Sequence, residues 1–386
     1  MSIIRYDELT WPEVGRLPRQ LPLVIPLGLR PYLLDGVAHS LRASDLGLLP
    51  AIPYGFPQPD GGGVARLEVG RGVFRRVLHG AVSRLARQGF ERVLFLDGHG
   101  LARRWGLNGM GLRSARFSEP GEPANGGGGW PEDIAERVAI VSAGHTEQHG
   151  HHLPLSTDTL IVEAISKGIV ERASDRVFCL PVWPYGVSTH TDEFPGTLNL
   201  GGRVFEDFFL AIVGRLVQLG ARRILFSNGH GGNHSFLVNV VKFAGERWPQ
   251  AFVATEWLHT TGPSLARHRQ SPPGGMGHGC ELETSYVLHL REDLVHMDRA
   301  TTEMDFISTA DYSMDWIENG RLIANPPWSD DTSSGIYGDA TVATASKGKL
   351  WLEAAIDEKI ALIDQIFEQH QRRMARRSER PSRPTP

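Results

Sequence analysis

The chain has 386 residues, of which 41% are hydrophobic and 22% charged, with a net charge of −4. That length exceeds what one hydrophobic core usually fills, so it suits one large domain or two related units. The slightly acidic composition offers polyanions no general attraction, and no run approaches the roughly 18 apolar residues of a membrane span, so neither nucleic acid nor a membrane is an expected partner.

Two cysteines, Cys179 and Cys280, are too few for a disulfide scaffold and point to a reducing, cytoplasmic setting. The opening MSIIRYDELTWPEV carries acidic residues and proline early, with no basic stretch leading into an apolar one, so no signal peptide is expected.

In chain order, LVIPLG (23–28) and RVLFLDG (92–98) read as strands, being short, rich in branched or apolar residues and closed by glycine. The segment SEPGEPANGGGG (118–129) is costly to order and reads as a linker. After it, VAIVSAG (138–144), RILFSNG (223–229) and QAFVATEWL (250–258) are again strand-like. Between them Phe205, Phe208, Phe209, Ile212, Val213 and Leu216 recur at helical spacing up to Gly220. Alternating strands and helices predict an α/β fold with a mostly parallel sheet covered on both faces. From residue 371 to 386 the chain is basic and proline-rich with little to bury, and is expected to be a disordered tail.

The two halves echo each other. LPAIPYG at 49 answers LPVWPYG at 180, and RVLFLDGHG at 92 answers RILFSNGHG at 223, both at an offset of 131. WPEVGRLPRQLPLVIPLG (11–28) likewise answers WPEDIAERVAIVSAG (130–144), with three extra residues. Residues 1–117 are therefore expected to be a shortened copy of the unit at 130–370.

Chemistry gathers in the second unit, beyond strand ends where parallel sheets bind ligands. Glu147 and His149 follow the strand VAIVSA, and Asp158 comes nine residues later. His230 follows RILFSN, and HGCELETS (278–285) adds His278, Glu281 and Glu283. Imidazole with carboxylate is a ligand set for zinc, manganese or iron rather than calcium. An early helix start would put His278 and Glu281 on one face and turn Glu283 elsewhere. Asn228 and Asn233 suit side-chain bonds that fix their loop. Substrate contact is expected from His190, Trp257, Gly231, Gly232 and Asn233. His151 and His152 are expected to orient the loop or rim the pocket, and Cys280 to be a small buried side chain. His145 has no distinguishable role.

In this order and spacing, EQHGHHLPLSTD, FPGT, NGHGGN and HGCELETS resemble the creatininase family of metal-dependent amidohydrolases. The resemblance implies a three-layer α/β/α fold, two divalent metal ions, a homo-oligomer, and water-driven cleavage of an amide C–N bond in a small molecule or short peptide. A branch opening an oxidised cyclitol by C–C hydrolysis is the alternative, and a metal-binding regulatory or assembly protein is a further one. By position Glu147, His149, Asp158 and His230 match the family's metal ligands, with Asp158 the bridge, while His278 matches its catalytic histidine; Glu147 and His278 form the expected catalytic pair. Creatinine hydrolase carries a further ligand Glu two places after the NGH histidine. Gly232 stands there in this chain, which argues against creatinine and leaves Glu281 as the expected replacement. In the first unit Arg30, Pro31, Tyr32 and Leu33 occupy the place of the ligand loop and His99 remains alone, so that unit is expected to hold no metal.

Overall fold

The computed structural model describes residues 2–28, 45–57, 67–97, 112–113, 131–257, 263–317 and 320–379. The expected linker at 118–129, Arg30 to Leu33, His99 and residues 380–386 lie outside them.

In the second half, β6 (Val138–Ala143), β7 (Val177–Cys179), β8 (Arg223–Asn228) and β9 (Phe252–Thr255) form a parallel sheet in the order β7-β6-β8-β9. Successive strand residues face opposite ways, and both faces are apolar. Val138, Ile140 and Leu225 pack against α3 (Thr157–Ala173), α7 (Glu281–Arg291) and α8 (Ala345–Ser378) through Ile161, Ile165, Tyr286, Trp351 and Ile356. Ala139, Val141, Ile224 and Phe226 face the other way, toward α4 (Gly202–Gln218) and α5 (His234–Arg247). Helices on both faces of a parallel sheet make this a three-layer α/β/α fold. The six apolar positions expected on α4 are all fully buried, and Gly220, at φ +107°, ends that helix. A small antiparallel sheet, β10 (Met276–His278), β12 (Tyr337–Asp339) and β11 (Thr302–Glu303), hangs over the C-terminal ends of the main strands.

In the first half, β1 (Ser2–Arg5), β2 (Leu23–Leu27), β3 (Asp45–Leu48), β4 (Val93–Asp97) and β5 (Leu112–Arg113) form a parallel sheet, ordered β1-β3-β2-β4-β5. Leaving out β1, this order matches that of the second sheet. Helix α2 (Arg71–Arg87) corresponds to α4 at the offset of 131, residue for residue at both ends. Gly28 donates to Ile52 and Gly144 to Trp183, each at 2.9 Å, at matching places in the two halves. Helices α2 and α4 pack against each other, and Arg76 pairs with Asp207 across 2.6 Å; these two residues are themselves 131 apart. A residue touching its own counterpart is the signature of packing about a two-fold axis.

The halves share one apolar core. Phe208 of α4 lies 4.1 Å from the Trp183 ring and 6.1 Å from Tyr54 of the first half, centroid to centroid.

The tail expected from residue 371 departs from expectation at its start, because α8 continues to Ser378. Arg373 lies over the Phe252 ring and Arg377 donates to the Pro249 carbonyl, so long cationic stems cover apolar surface and suit a helix C-terminus. Among the described residues no helix is long and apolar enough to cross a membrane.

A shared core predicts cooperative loss. Phe208→Ala should cost about 3–5 kcal/mol and lower one urea transition, seen alike by far-UV circular dichroism and by tryptophan fluorescence. Two transitions, only one of them shifted, would show that the halves fold on separate cores.

Candidate metal centre

The loop from Gly144 to Ser156 joins β6 to α3 and is almost wholly buried, although His145, Thr146, Glu147, Gln148, His149 and His152 lie in it. A buried loop needs partners for its backbone. Glu147 N–H donates to Leu155, and Leu198 N–H to Thr146. Gln148 N–H donates to the Thr197 hydroxyl, which gives the FPGT segment its use as a brace. The first half also takes part: Leu155 N–H donates to the Leu9 carbonyl and Ser156 N–H to that of Asp7, each at 2.9 Å. These last two tethers lie beside Asp158, which sits in the first turn of α3.

Three imidazoles converge on this loop with a common polarity. His149 Nδ1 lies 3.1 Å from the Glu147 carbonyl, His230 Nε2 3.0 Å from that of Val187, and His278 Nε2 2.7 Å from that of Gln148. A carbonyl only accepts, so each of these nitrogens carries its proton outward and the other ring nitrogen faces the cluster. His230 Nδ1 then lies 2.9 Å from Glu147 Oε1 and 3.2 Å from Asp158 Oδ2. His149 Nε2 lies 3.2 Å from Asp158 Oδ1 and 3.8 Å from Glu283 Oε1. Asp158 thus turns one oxygen to each of two ligand groups, Glu147 with His230 and His149 with Glu283. His278 Nδ1 stands 3.7 Å from Glu147 Oε1.

The arrangement fits two cations. Glu147 Oε1, His149 Nε2 and Asp158 Oδ2 are sealed from solvent and make no hydrogen bond, which is expensive unless something positive lies among them. Nitrogen with carboxylate oxygen suits zinc, manganese or iron. Without a cation, protons do part of that work. Burial alone would push His230 down, but the Glu147 and Asp158 carboxylates outweigh it and hold the ring up at about 10. His149 is raised against burial in the same way by Asp158 and Glu283. Burial likewise raises Glu147 and Asp158, yet the neighbouring imidazoles hold both below their ordinary values. Ion uptake must therefore expel protons from His149 and His230.

Three neighbouring rings are shifted the other way. Burial, aided by His230, lowers His145 to about 3, and burial holds His190 near 4. His278 is lowered by burial and by His149.

Glu147, His149, Asp158, His230 and His278 are thus brought together as expected. Glu281 is not. Its carboxylate accepts from the amides of Gln270 and Ser271 and pairs with Lys347 Nζ at 2.6 Å, away from the cluster. The reason lies in where α7 starts: Gly279 has φ +57° and turns the chain, Cys280 is the N-cap, and His278 remains in β10. Glu281 and His278 therefore share no helical face. Glu283, about 200° round the helix from Glu281, faces His149. The glycine was the available signal for that start.

Asn233 fixes its loop, as its residue type suits: it is fully buried, its Oδ1 accepts from Val187 N–H and its Nδ2 donates to the Gly144 carbonyl. Asn228 fixes the same loop, accepting from His230 N–H and donating to the Trp257 carbonyl. Gly232 is enclosed, since a Cβ there would come 2.3 Å from the Val187 carbonyl oxygen and 2.5 Å from His230 Nε2. Gly231 faces Trp257. His190 lies at the rim, 6.4 Å from the His230 ring. Trp328, which no motif marks, fills the space between His190 and His278, 4.4 and 4.8 Å from their rings. His151 lies outside the cluster against Trp11, His152 bonds the Thr284 hydroxyl, and Cys280 is buried with its thiol pushed up by burial.

The profile of the creatininase family, described as creatinine amidohydrolase, matches residues 131–363. Among characterised proteins, the mycofactocin precursor peptide peptidase of Mycolicibacterium smegmatis is 33% identical over 219 residues, 55% of this chain and 78% of the relative. Creatinine amidohydrolase of Pseudomonas putida is 28% identical over 235 residues, 57% and 85% of the two chains. The 3-dehydro-scyllo-inosose hydrolase of Thermotoga maritima is 26% identical over 248 residues, 60% and 78%. Solved creatininases, a Mn form and the Zn-Zn form of an E122Q mutant, each superpose with a TM-score of 0.51 at 27% identity. They cover 61% and 62% of this chain and 93% and 92% of their own.

The two glutamates of α7 should separate cleanly on substitution. Glu283→Ala should release an ion, read by elemental analysis, at a cost of about 1–3 kcal/mol for the Gly279 amide it leaves without an acceptor. Glu281→Ala strands the Lys347 ammonium in the interior, which should cost about 3–5 kcal/mol while sparing ion content. The reverse pattern would restore Glu281 as the ligand.

Proposed function

The chain belongs to the creatininase family, and from that premise we propose a metal-dependent hydrolase that cleaves the amide C–N bond of a small molecule or short peptide. The carrying observation is the pair of ligand groups on either side of Asp158, with one nitrogen of each of three imidazoles turned inward. Glu147, Asp158 and His230 would hold one ion, and His149, Asp158 and Glu283 the other, each zinc, manganese or iron.

Two such cations supply Lewis acidity, bringing the pKa of a water from 15.7 toward about 7 and polarising the carbonyl under attack. The chain supplies the rest. His278, neutral and tethered through Nε2–H to the Gln148 carbonyl, presents Nδ1 as the proton acceptor. Glu147 Oε1, 3.7 Å away, stabilises the imidazolium so formed, which then returns the proton to the leaving nitrogen. Trp328 and His190 wall the approach and exclude water, while Trp257 and Gly231 line its other side.

C–C cleavage of an oxidised cyclitol is a second reading, favoured by the similarity to the Thermotoga protein. It needs the same proton shuttle. The completeness of the acid and base groups supports catalysis over a scaffold that merely binds metal.

We further infer that residues 1–117 are a degenerate, metal-free copy of the catalytic unit. Matching strand order, matching helix bounds and the Arg76–Asp207 contact support this, and so does the missing ligand loop in the sequence. In this reading the copy occupies the place of a partner subunit and braces the ligand loop through Leu9 and Asp7. Further assembly into a homo-oligomer is inferred from the family resemblance, and a cytoplasmic setting from two unpaired cysteines.

Glu147→Ala and Asp158→Ala should abolish both ion uptake and amide hydrolysis. His278→Ala should keep the ions and lose about 10²–10⁴ in kcat. Hydrolysis that survives exhaustive dialysis against a chelator would refute the assignment.

A further inference from the structure

His145 stands two residues past the end of β6 at Ala143 and takes no part in the roles above. It is fully buried, its carbonyl accepts the Thr159 hydroxyl at 3.0 Å, and its ring lies 4.5 Å from that of His230. The Gly186 amide donates to His145 Nδ1 across 2.8 Å. An amide only donates, so Nδ1 is the acceptor and the proton of the neutral ring sits on Nε2. This polarity is opposite to that of His149, His230 and His278. The approach depends on glycine, since a Cβ at 186 would stand 2.9 Å from His145 Cγ and Nδ1.

His145 Nε2–H therefore points into the cluster, sealed from solvent and without a hydrogen-bond partner among the described residues. The group His145, Glu147 and His230 lies within ligand distance, but a protonated ring nitrogen has no lone pair to give, so this is no third ion position. Facing His145 Nε2–H at 3.9 Å is Glu147 Oε2, which accepts only one long bond, 3.5 Å from the Thr191 hydroxyl. An orphan donor thus confronts an acceptor that is barely served, about 1 Å beyond bonding distance.

We propose that His145 is a positioning residue: its Nε2–H donates to Glu147 Oε2, leaving Oε1 alone to face the metal position shared with His230 and Asp158. This rests on the metal reading above, and deepens it by naming what sets the orientation of a ligand carboxylate. Partners of this kind shift metal affinity by about 10- to 100-fold when removed.

Two measurements on the full chain test it. In ¹⁵N-histidine-labelled, metal-free protein, the ring signals lost in H145Q identify residue 145, and they should be those of an Nε2–H ring; an Nδ1–H ring would overturn the proposal. Dissociation constants for Zn²⁺ and Mn²⁺ are then taken by chelator competition. H145F, which fills the space but offers no donor, should bind about 10- to 100-fold more weakly, whereas H145Q, which keeps a donor, should stay near wild type. Unchanged binding by H145F, or equal loss in both variants, would contradict a donor role. A wild-type chain that takes up neither ion would overturn the metal reading itself, and this proposal with it, whatever the tautomer.

Discussion

One buried carboxylate, that of Asp158, organises the active half of this molecule by turning an oxygen to each of two imidazoles, His149 and His230, at 3.2 Å. Burying acids and imidazoles together is unfavourable unless each is oriented and compensated. The fold does the orienting. Neighbouring strands β6 and β8 end side by side, so that their loops bring Glu147 and His149 against His230. Helix α3 begins where Asp158 must stand, and backbone carbonyls of Glu147, Val187 and Gln148 fix which nitrogen of each ring faces inward. The compensation comes from cations, whose binding free energy is drawn on by a pocket already paired for them.

That pocket also rests on contacts from the first half of the chain. Carbonyls of Asp7 and Leu9 hold the ligand loop just before Asp158, and α2 covers the apolar face of α4. Trp11, in a short helix at whose start Thr10 N–H donates to the Glu13 carboxylate at 3.0 Å, donates to the Ser334 carbonyl and packs on Phe194. Charge complementarity agrees: Arg76 meets Asp207, whereas two identical copies would set aspartate against aspartate at that place.

Most of this was legible in the sequence where local pattern carries the information. The period of α4 and its glycine stop, the alternation of strands and helices, the clustering of histidines and acidic residues at strand ends and the offset of 131 are all properties of short stretches or of their comparison. What escaped depends on one backbone turn or on distant contacts. A single positive φ at Gly279 set the start of α7 and so decided between Glu281 and Glu283. Trp328 entered the pocket from a segment with no motif, and the tautomer of His145 was set by an amide 41 residues away. The helical start of the tail needed the ring of Phe252 to lie against.

The most direct test is anomalous diffraction from crystals of the full chain grown with Zn²⁺ or Mn²⁺. Two peaks about 3.5–4 Å apart astride the Asp158 carboxylate, one beside His230 and Glu147 and the other beside His149 and Glu283, are the expected result. No peak there, or density at Glu281 instead, would contradict a centre organised by Asp158.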